Sequence, residues 1–378
     1  MPHATMKLAF LPRVLVRADA TAALGWGHVR RCLSLAQSLR AAGADVRFTG
    51  RADSATTRLL AAEGFAWLPL PTDAAAGDQA ADAQATLAML RQWPATAVVV
   101  DHYDLAAPWH EAVRHDSGAA IVVIDDLADR PLAPDLLVDH NPAADHAAKY
   151  RAVLGANVPL CTGPRHALLD PLYAARAAAA RTQPAASAEV RRVGLFLGGT
   201  DPQAHSAWAL QVLRRHVGWH GEVLVASTTA NPGWRALQTR VLADGRAELL
   251  LDLPHLADFH AACDLQIGAG GGALWERCCL GVPTVALMVA PNQRLSVPLL
   301  HDSGVLVGVD AIGQTPAQAQ ALATALAGLL GSADQRAALR RHSLALVDGQ
   351  GARRTATAVL SLLRQRHVQG ADADASFV

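Results

Sequence analysis

Lysine is almost missing from this 378-residue chain, with Lys7 and Lys149 the only two. Lys+Arg and Asp+Glu both number 33, so the formal net charge is zero. That balance excludes the broad basic field with which a nucleic-acid binder collects phosphates, and any anion must be held locally. The five cysteines, Cys32, Cys161, Cys263, Cys278 and Cys279, make no C-x-x-C pair and no ligand spacing with histidine. Neither a zinc site nor a disulfide framework is expected, and a cytoplasmic location fits best. No apolar run approaches the ~20 residues of a membrane span, and Pro12 falls where a signal peptide needs an unbroken apolar core. The first twelve residues read as a ragged leader. No basic and aromatic cluster beyond Arg30-Arg31 suggests a membrane face, so no stable membrane association is expected. The only D-x-D spacing, Asp372 and Asp374, lies near the end of the chain, so no metal carrier for a diphosphate is visible and no metal or cofactor is expected.

What is present is apolar residue in quantity, 51% against 17% charged, enough for the two cores that a chain of this length requires. Short V/I/L runs at 13–17, 45–50, 97–100, 120–124 and 136–138 alternate with helical stretches, and several end in polar clusters: Asp101-His102-Tyr103, Asp125-Asp126 and Asp139-His140-Asn141. This pattern predicts a parallel sheet covered on both faces, with its strand C-termini forming a ligand edge. The pattern restarts at 193–197 and continues through runs at 222–227, 248–251, 265–267 and 283–288, with helices near 203–216, 232–243, 316–331 and 334–346. The expected organisation is therefore α/β: two Rossmann-like, doubly wound domains facing across a cleft. The N-terminal one spans 13–173, a linker 174–190, the C-terminal one 191–350, a last helix 351–367 and a disordered tail 368–378.

Three glycine-containing segments follow strands. G-W-G-H at 25–28 opens a helix with Gly27 and His28, where the positive end of the helix dipole favours the neutral imidazole that a general base needs. A histidine that only caps the helix is the alternative. Gly198-Gly199-Thr200-Asp201 offers backbone N–H groups and a hydroxyl to phosphate oxygens, or is an ordinary tight turn. In the stretch 268–276, consecutive glycines including Gly271 and Gly272 allow close backbone approach, while Glu276 can offer both carboxylate oxygens to a ribose diol or simply face solvent. Asn292 and Gln293 are candidates for diphosphate or sugar. Arg17, Asp19, Asp101, His102 and Tyr103 are candidates for sugar substituents or for orienting His28.

The ordered set is more specific than its parts. R-A-D at 17–19, G-W-G-H-V-R-R-C-L-S-L-A from 25, V-D-H-Y at 100–103, I-D-D at 124–126, L-G-G-T-D at 197–201, S-T-T-A-N-P at 227–232, and I-G-A-G-G-G-A-L-W-E at 267–276 with P-N-Q at 291–293 resembles the UDP-2,4-diacetamido-2,4,6-trideoxy-β-L-altropyranose hydrolases of pseudaminic acid synthesis. The resemblance spans about residues 13–310. It implies a GT-B-like fold, akin to the peptidoglycan N-acetylglucosamine transferase, with water in place of the acceptor. It also implies inversion at C1 with C–O cleavage, His28 as the base, and the glycine segment with Glu276 holding UDP. The chain departs from that family's pattern in Ala269-Gly270-Gly271, in an alanine-rich stretch around 72–86 and in extra C-terminal helices. Two other readings remain: a glycosyltransferase on the same fold serving a surface polysaccharide, and a non-catalytic nucleotide-sugar binding protein. A monomer or weak dimer is expected.

Overall fold

Aliphatic runs buried on both faces build two parallel sheets. The computed structural model describes residues 11–19, 27–70, 77–182 and 189–375. The first sheet holds β1 (Arg13–Ala18), β2 (Asp45–Gly50), β3 (Ala66–Pro69), β4 (Ala97–Asp101), β5 (Ala120–Ile124), β6 (Leu136–Asp139) and β7 (Leu160–Thr162). The second holds β8 (Arg192–Phe196), β9 (Glu222–Ser227), β10 (Ala247–Leu251), β11 (Leu265–Ala269), β12 (Thr284–Met288) and β13 (Val307–Asp310). Their orders are β3-β2-β1-β4-β5-β6-β7 and β10-β9-β8-β11-β12-β13. In each, the winding reverses between the first and fourth strands, which opens a crevice at their C-terminal ends. Register places Ala18 opposite Asp101 and Gly268 opposite Phe196, so the loops after β1 and β4, and after β8 and β11, emerge side by side.

One face of the first sheet, with Val14, Val16, Val99 and Val122, packs on the helix Gly27–Ala41 and on the last helix, Gly351–Ala375. The other face, with Leu15, Val98, Val100 and Ile121, packs under Leu87 and Leu90 of the helix Gln79–Gln92 and under Trp109 and Val113 of Ala107–Ser117. The last helix thus belongs to the first unit's core. Burial of its Val359, Leu360 and Leu363 contributes roughly 1.5–3 kcal/mol each.

Several expectations need correction. The stretch 174–190 is not a plain linker: its first part lies in the helix Leu172–Thr182, whose Tyr173 and Ala177 pack with Trp275, Cys278 and Cys279 of the second unit. Residues 183–188 lie outside the described residues. The last helix does not stop at 367 but runs to Ala375, so a tail disordered from 368 is not what is found. Within the alanine-rich stretch, residues from 79 onward form a sheet-covering helix capped by Asp78, which accepts from the N–H groups of Ala80 and Ala81. Strands β3, β7 and β13 were not anticipated. They are sheet edges of three or four residues, too short to carry a readable alternation.

Candidate active site

His28 is the second residue of the helix Gly27–Ala41, and its Nδ1 lies 2.6 Å from Oδ1 of Asp101, at the end of β4. Arg31, one turn along the same helix face, grips the same carboxylate with a fork: Nε to Oδ2 and Nη2 to Oδ1, both 2.6 Å. Asp101 is buried, which alone would raise its carboxyl. The Arg31 guanidinium and His28 outweigh that and hold it well below the usual carboxylate range. An ionised carboxylate only accepts hydrogen bonds, so Nδ1 of His28 carries the proton. The approach of Arg31 Nη2 to the same Nδ1 at 3.2 Å is therefore a contact between two donors that share one acceptor. Nε2 has no hydrogen-bond partner among the described residues, and the side chain is 14% exposed. In the neutral ring that nitrogen offers a lone pair. Tyr103 sets its ring edge-on to His28, with centroids 4.9 Å apart at 80°. Burial, with Asp126 nearby, raises its hydroxyl above the usual phenol range, so it stays a neutral donor.

The other candidates of this rim face elsewhere. His102 donates from Nε2 to Oδ2 of Asp19 at 3.0 Å and accepts the Asp104 N–H at Nδ1, so both ring nitrogens are used and it is no spare base. Asp19 also accepts the Arg51 N–H and the Arg17 guanidinium. Arg17 is buried and turns its Nε and Nη2 to Asp82, at 3.2 and 2.6 Å. Arg17, Asp19 and His102 are thus a brace joining β1, the β4 loop and the helix Gln79–Gln92, with every nitrogen of the buried Arg17 turned to a carboxylate. A side chain at Gly27 would meet nothing within 4 Å, so this glycine is not required sterically. Gly25 lies outside the described residues.

Three residues that the sequence offers only as members of a strand-end cluster or a basic pair, Arg31, Asp126 and His140, also stand at this site. Arg31, read in the sequence only as half of a basic pair, is the partner of Asp101; its spacing of three from His28 was the available signal. Its neighbour Arg30 reaches the second unit, donating to the Pro254 carbonyl at 3.1 Å. Asp126 sits 3.8 Å from Arg31 Nη1 and keeps Oδ1 unpartnered, although Asn141 donates to its other oxygen. His140, held neutral near pH 7 because burial and Arg31 push it down to about 4, sets its ring against Trp275 of the second unit with centroids 6.2 Å apart.

In the second unit, Glu276 lies in the helix Ala273–Leu280 that follows the glycine segment. Its Oε2 accepts the Tyr173 hydroxyl at 2.5 Å and His260 Nε2 at 3.1 Å. Burial opposes the charge, yet these two hydrogen bonds keep the carboxyl below its usual range. This corrects the expectation that both oxygens are open: Oε1 is the one without a partner among the described residues. Gly270 is glycine for packing, since a Cβ there would press on Val297 and Gln293. A Cβ at Gly272 would meet no described residue and one at Gly271 only Gln293 Nε2 at 3.9 Å, and with Ala273 these glycines carry N–H groups that no described residue accepts. The Gln293 side-chain oxygen Oε1 accepts the Val289 N–H at 2.9 Å, and its Nε2 is the group nearest Gly271, whereas Asn292 is exposed. At the loop after β8 the expectation is only partly met. The start of the helix His205–Arg215 is already occupied by Asp201, whose carboxylate accepts the N–H groups of His205 and Ser206 at 2.9 Å each. A phosphate here would have Gly198, Gly199 and Thr200, not the helix terminus. Gly198 adopts φ +109, which a side chain would strain, and the Gly199 carbonyl is tied to Thr228 at 2.6 Å.

No protein-family model matches the chain. The spore coat polysaccharide biosynthesis protein SpsG of Bacillus subtilis (strain 168) is 23% identical over 221 residues, 58% of this chain and 63% of that relative, so the match spans less than two thirds of it. Among solved structures, MurG of Acinetobacter baumannii superposes with a TM-score of 0.64 at 14% identity, covering 93% of this chain and 99% of that one. The Anabaena protein HepE, solved in complex with UDP and glucose, gives 0.59 at 13% identity over 93% and 99%. At such identities the likeness establishes the fold, which is the two-domain α/β GT-B arrangement.

Proposed function

We propose that the chain is a UDP-sugar enzyme of surface-carbohydrate synthesis that displaces UDP from the anomeric carbon with His28 as general base. The observation that carries this is the His28–Asp101 pair, whose geometry fixes the proton on Nδ1 and leaves Nε2 to take one from a nucleophile. The nucleophile's oxygen forms a bond to C1 as its proton passes to Nε2. The C1–O bond to the diphosphate breaks, and the electron pair leaves with UDP, giving inversion. Gly271, Gly272 and Ala273 at the helix start and the loop 198–200 are the groups proposed to receive the diphosphate charge, and Glu276 Oε1 the ribose. HepE, bound to UDP and glucose, supports a UDP-sugar substrate, and SpsG, a polysaccharide biosynthesis protein, supports an acceptor hydroxyl as the nucleophile. The ordered motif set supports water, acting on a UDP-2,4-diacetamido-2,4,6-trideoxyhexose.

Incubating the protein with UDP-sugars, with and without saccharide acceptors, separates these nucleophiles. Rapid UDP release without acceptor assigns water, and release only with acceptor assigns transfer. No release in either case, with UDP still bound, would leave a nucleotide-sugar binding protein and overturn the catalytic reading. For the nucleotide, Glu276→Ala should weaken UDP binding by about 1–3 kcal/mol, the scale for a charged hydrogen-bond partner. Calorimetry giving an unchanged UDP affinity would remove Glu276 from the site.

A further inference from the structure

Arg277 follows Glu276 in the same helix but turns inward beneath the loop Gly268–Gly272. It has no exposed surface, and its Nη2 donates to the Ala269 carbonyl at 2.6 Å. Its Nε and Nη1 are buried with no partner among the described residues. A Cβ at Gly268 would collide with the guanidinium, so the glycine there makes room for this side chain. Burial pushes the group down to about 10, which still leaves it charged at neutral pH. A buried cation with two idle nitrogens is a costly arrangement, because its lost hydration is not replaced by a carboxylate partner. Such a feature points to an anion that arrives from outside the chain.

The location says which anion. Arg277 holds the carbonyl of the Ala269–Gly270 peptide while the Leu287 carbonyl holds its N–H at 3.1 Å, so that peptide plane is fixed at both ends. The next three N–H groups, of Gly271, Gly272 and Ala273, have no partner among the described residues. Behind a positive helix terminus stands a second positive charge that salt does not screen.

We propose that Arg277 is the positioning and charge-supplying residue of a diphosphate site, setting the glycine loop and adding a buried positive field that favours a nucleoside diphosphate over the nucleoside. The inference rests on the UDP reading above and names the group that makes its phosphates count. Arg277 acts through the loop and need not touch the ligand.

The test compares UDP, uridine and inorganic pyrophosphate by calorimetry on the full chain. Arg277→Met should weaken UDP and pyrophosphate on the order of ten- to a hundredfold, from the loss of one close charge at an intermediate effective dielectric. Uridine should stay within about twofold. The thermal midpoint of the unliganded variant should not fall, since an uncompensated buried charge has been removed. Equal losses for UDP and uridine would reduce Arg277 to a loop support, and unchanged UDP and pyrophosphate binding would overturn the proposal outright. Should Arg277→Met not fold, Arg277→Lys decides: retaining the preference for UDP over uridine supports the charge reading, and losing it refutes that reading. If the wild type binds pyrophosphate at this loop but neither UDP nor uridine, the nucleotide reading fails while the charge assignment stands.

Discussion

His28→Asn should lower turnover by about 10²–10⁴-fold, the usual contribution of a positioned general base, and leave UDP affinity within about twofold of wild type. The separation follows from where the ring sits. Its Nδ1 is occupied by Asp101 and its Nε2 is the atom left for the nucleophile, while the proposed nucleotide contacts come from the other unit. The pair of measurements is kcat under saturating UDP-sugar and the UDP dissociation constant. A variant with near-normal kcat would make His28 a helix cap. The search for a base could not then move to His102, both of whose nitrogens are engaged.

Asp101→Asn should be nearly as damaging to turnover, and should also destabilise the protein. An amide oxygen can still accept from His28, but the variant no longer fixes which ring nitrogen carries the proton, and a loss of about 10²–10⁴-fold is the scale for such a change. It also strips the Arg31 fork of its counter-charge at a site where the carboxylate is fully enclosed and Arg31 is 12% exposed. Removing one partner of a buried ion pair costs roughly 3–5 kcal/mol. The pH dependence has a definite sign. The Asp101 carboxyl lies below its ordinary value in the folded state, so its contribution is complete above the unfolded value of about 4 and is lost as the pH falls toward the folded value. Urea denaturation of wild type and variant should therefore show the widest gap at pH 6–7 and a narrowing one below about pH 4. A gap that stays constant from pH 7 to pH 3 would mean that the ionisation of Asp101 is not what the fold depends on.

The strands that carry the site were readable because β4 and β5 are aliphatic runs buried along their whole length that stop at Asp101 and just before Asp125, while the shorter apolar stretches of β8 and β11 lead directly into glycine loops. What the sequence could not resolve was which neighbours at a strand end share a side. Asp101, His102 and Tyr103 form one cluster on paper, yet alternate residues of an extended chain face opposite ways. Accordingly Asp101 and Tyr103 meet His28, and His102 turns to Asp19. Arg17 looks like a sugar ligand beside Asp19 until Asp82, 65 positions on, closes over it. Glu276 is legible in the sequence as a candidate, but which of its oxygens is engaged depends on Tyr173, 103 residues earlier in the chain. Arg277 is invisible to pattern reading, because a charge in an amphipathic helix reads as solvated, and only the packing of Gly268 against it reveals that it is sealed inside.

The last helix, Gly351–Ala375, has a consequence for how the molecule is made. Its Ala352, Ala356, Val359, Leu360 and Leu363 complete the core that Val14, Val29 and Leu35 begin, and Arg366 reaches the Gly118 carbonyl across 248 positions. During synthesis the first unit leaves the ribosome with one sheet face covered only in part, by the helix Gly27–Ala41, and stays so until the whole second unit has been translated. At about 5–20 residues per second that interval is on the order of ten seconds or more. The second unit, whose helices and strands are close in sequence, can close first, which reverses the usual N-to-C order of domain folding. The exposed Val- and Leu-rich face is then a place where a chaperone would meet the nascent chain.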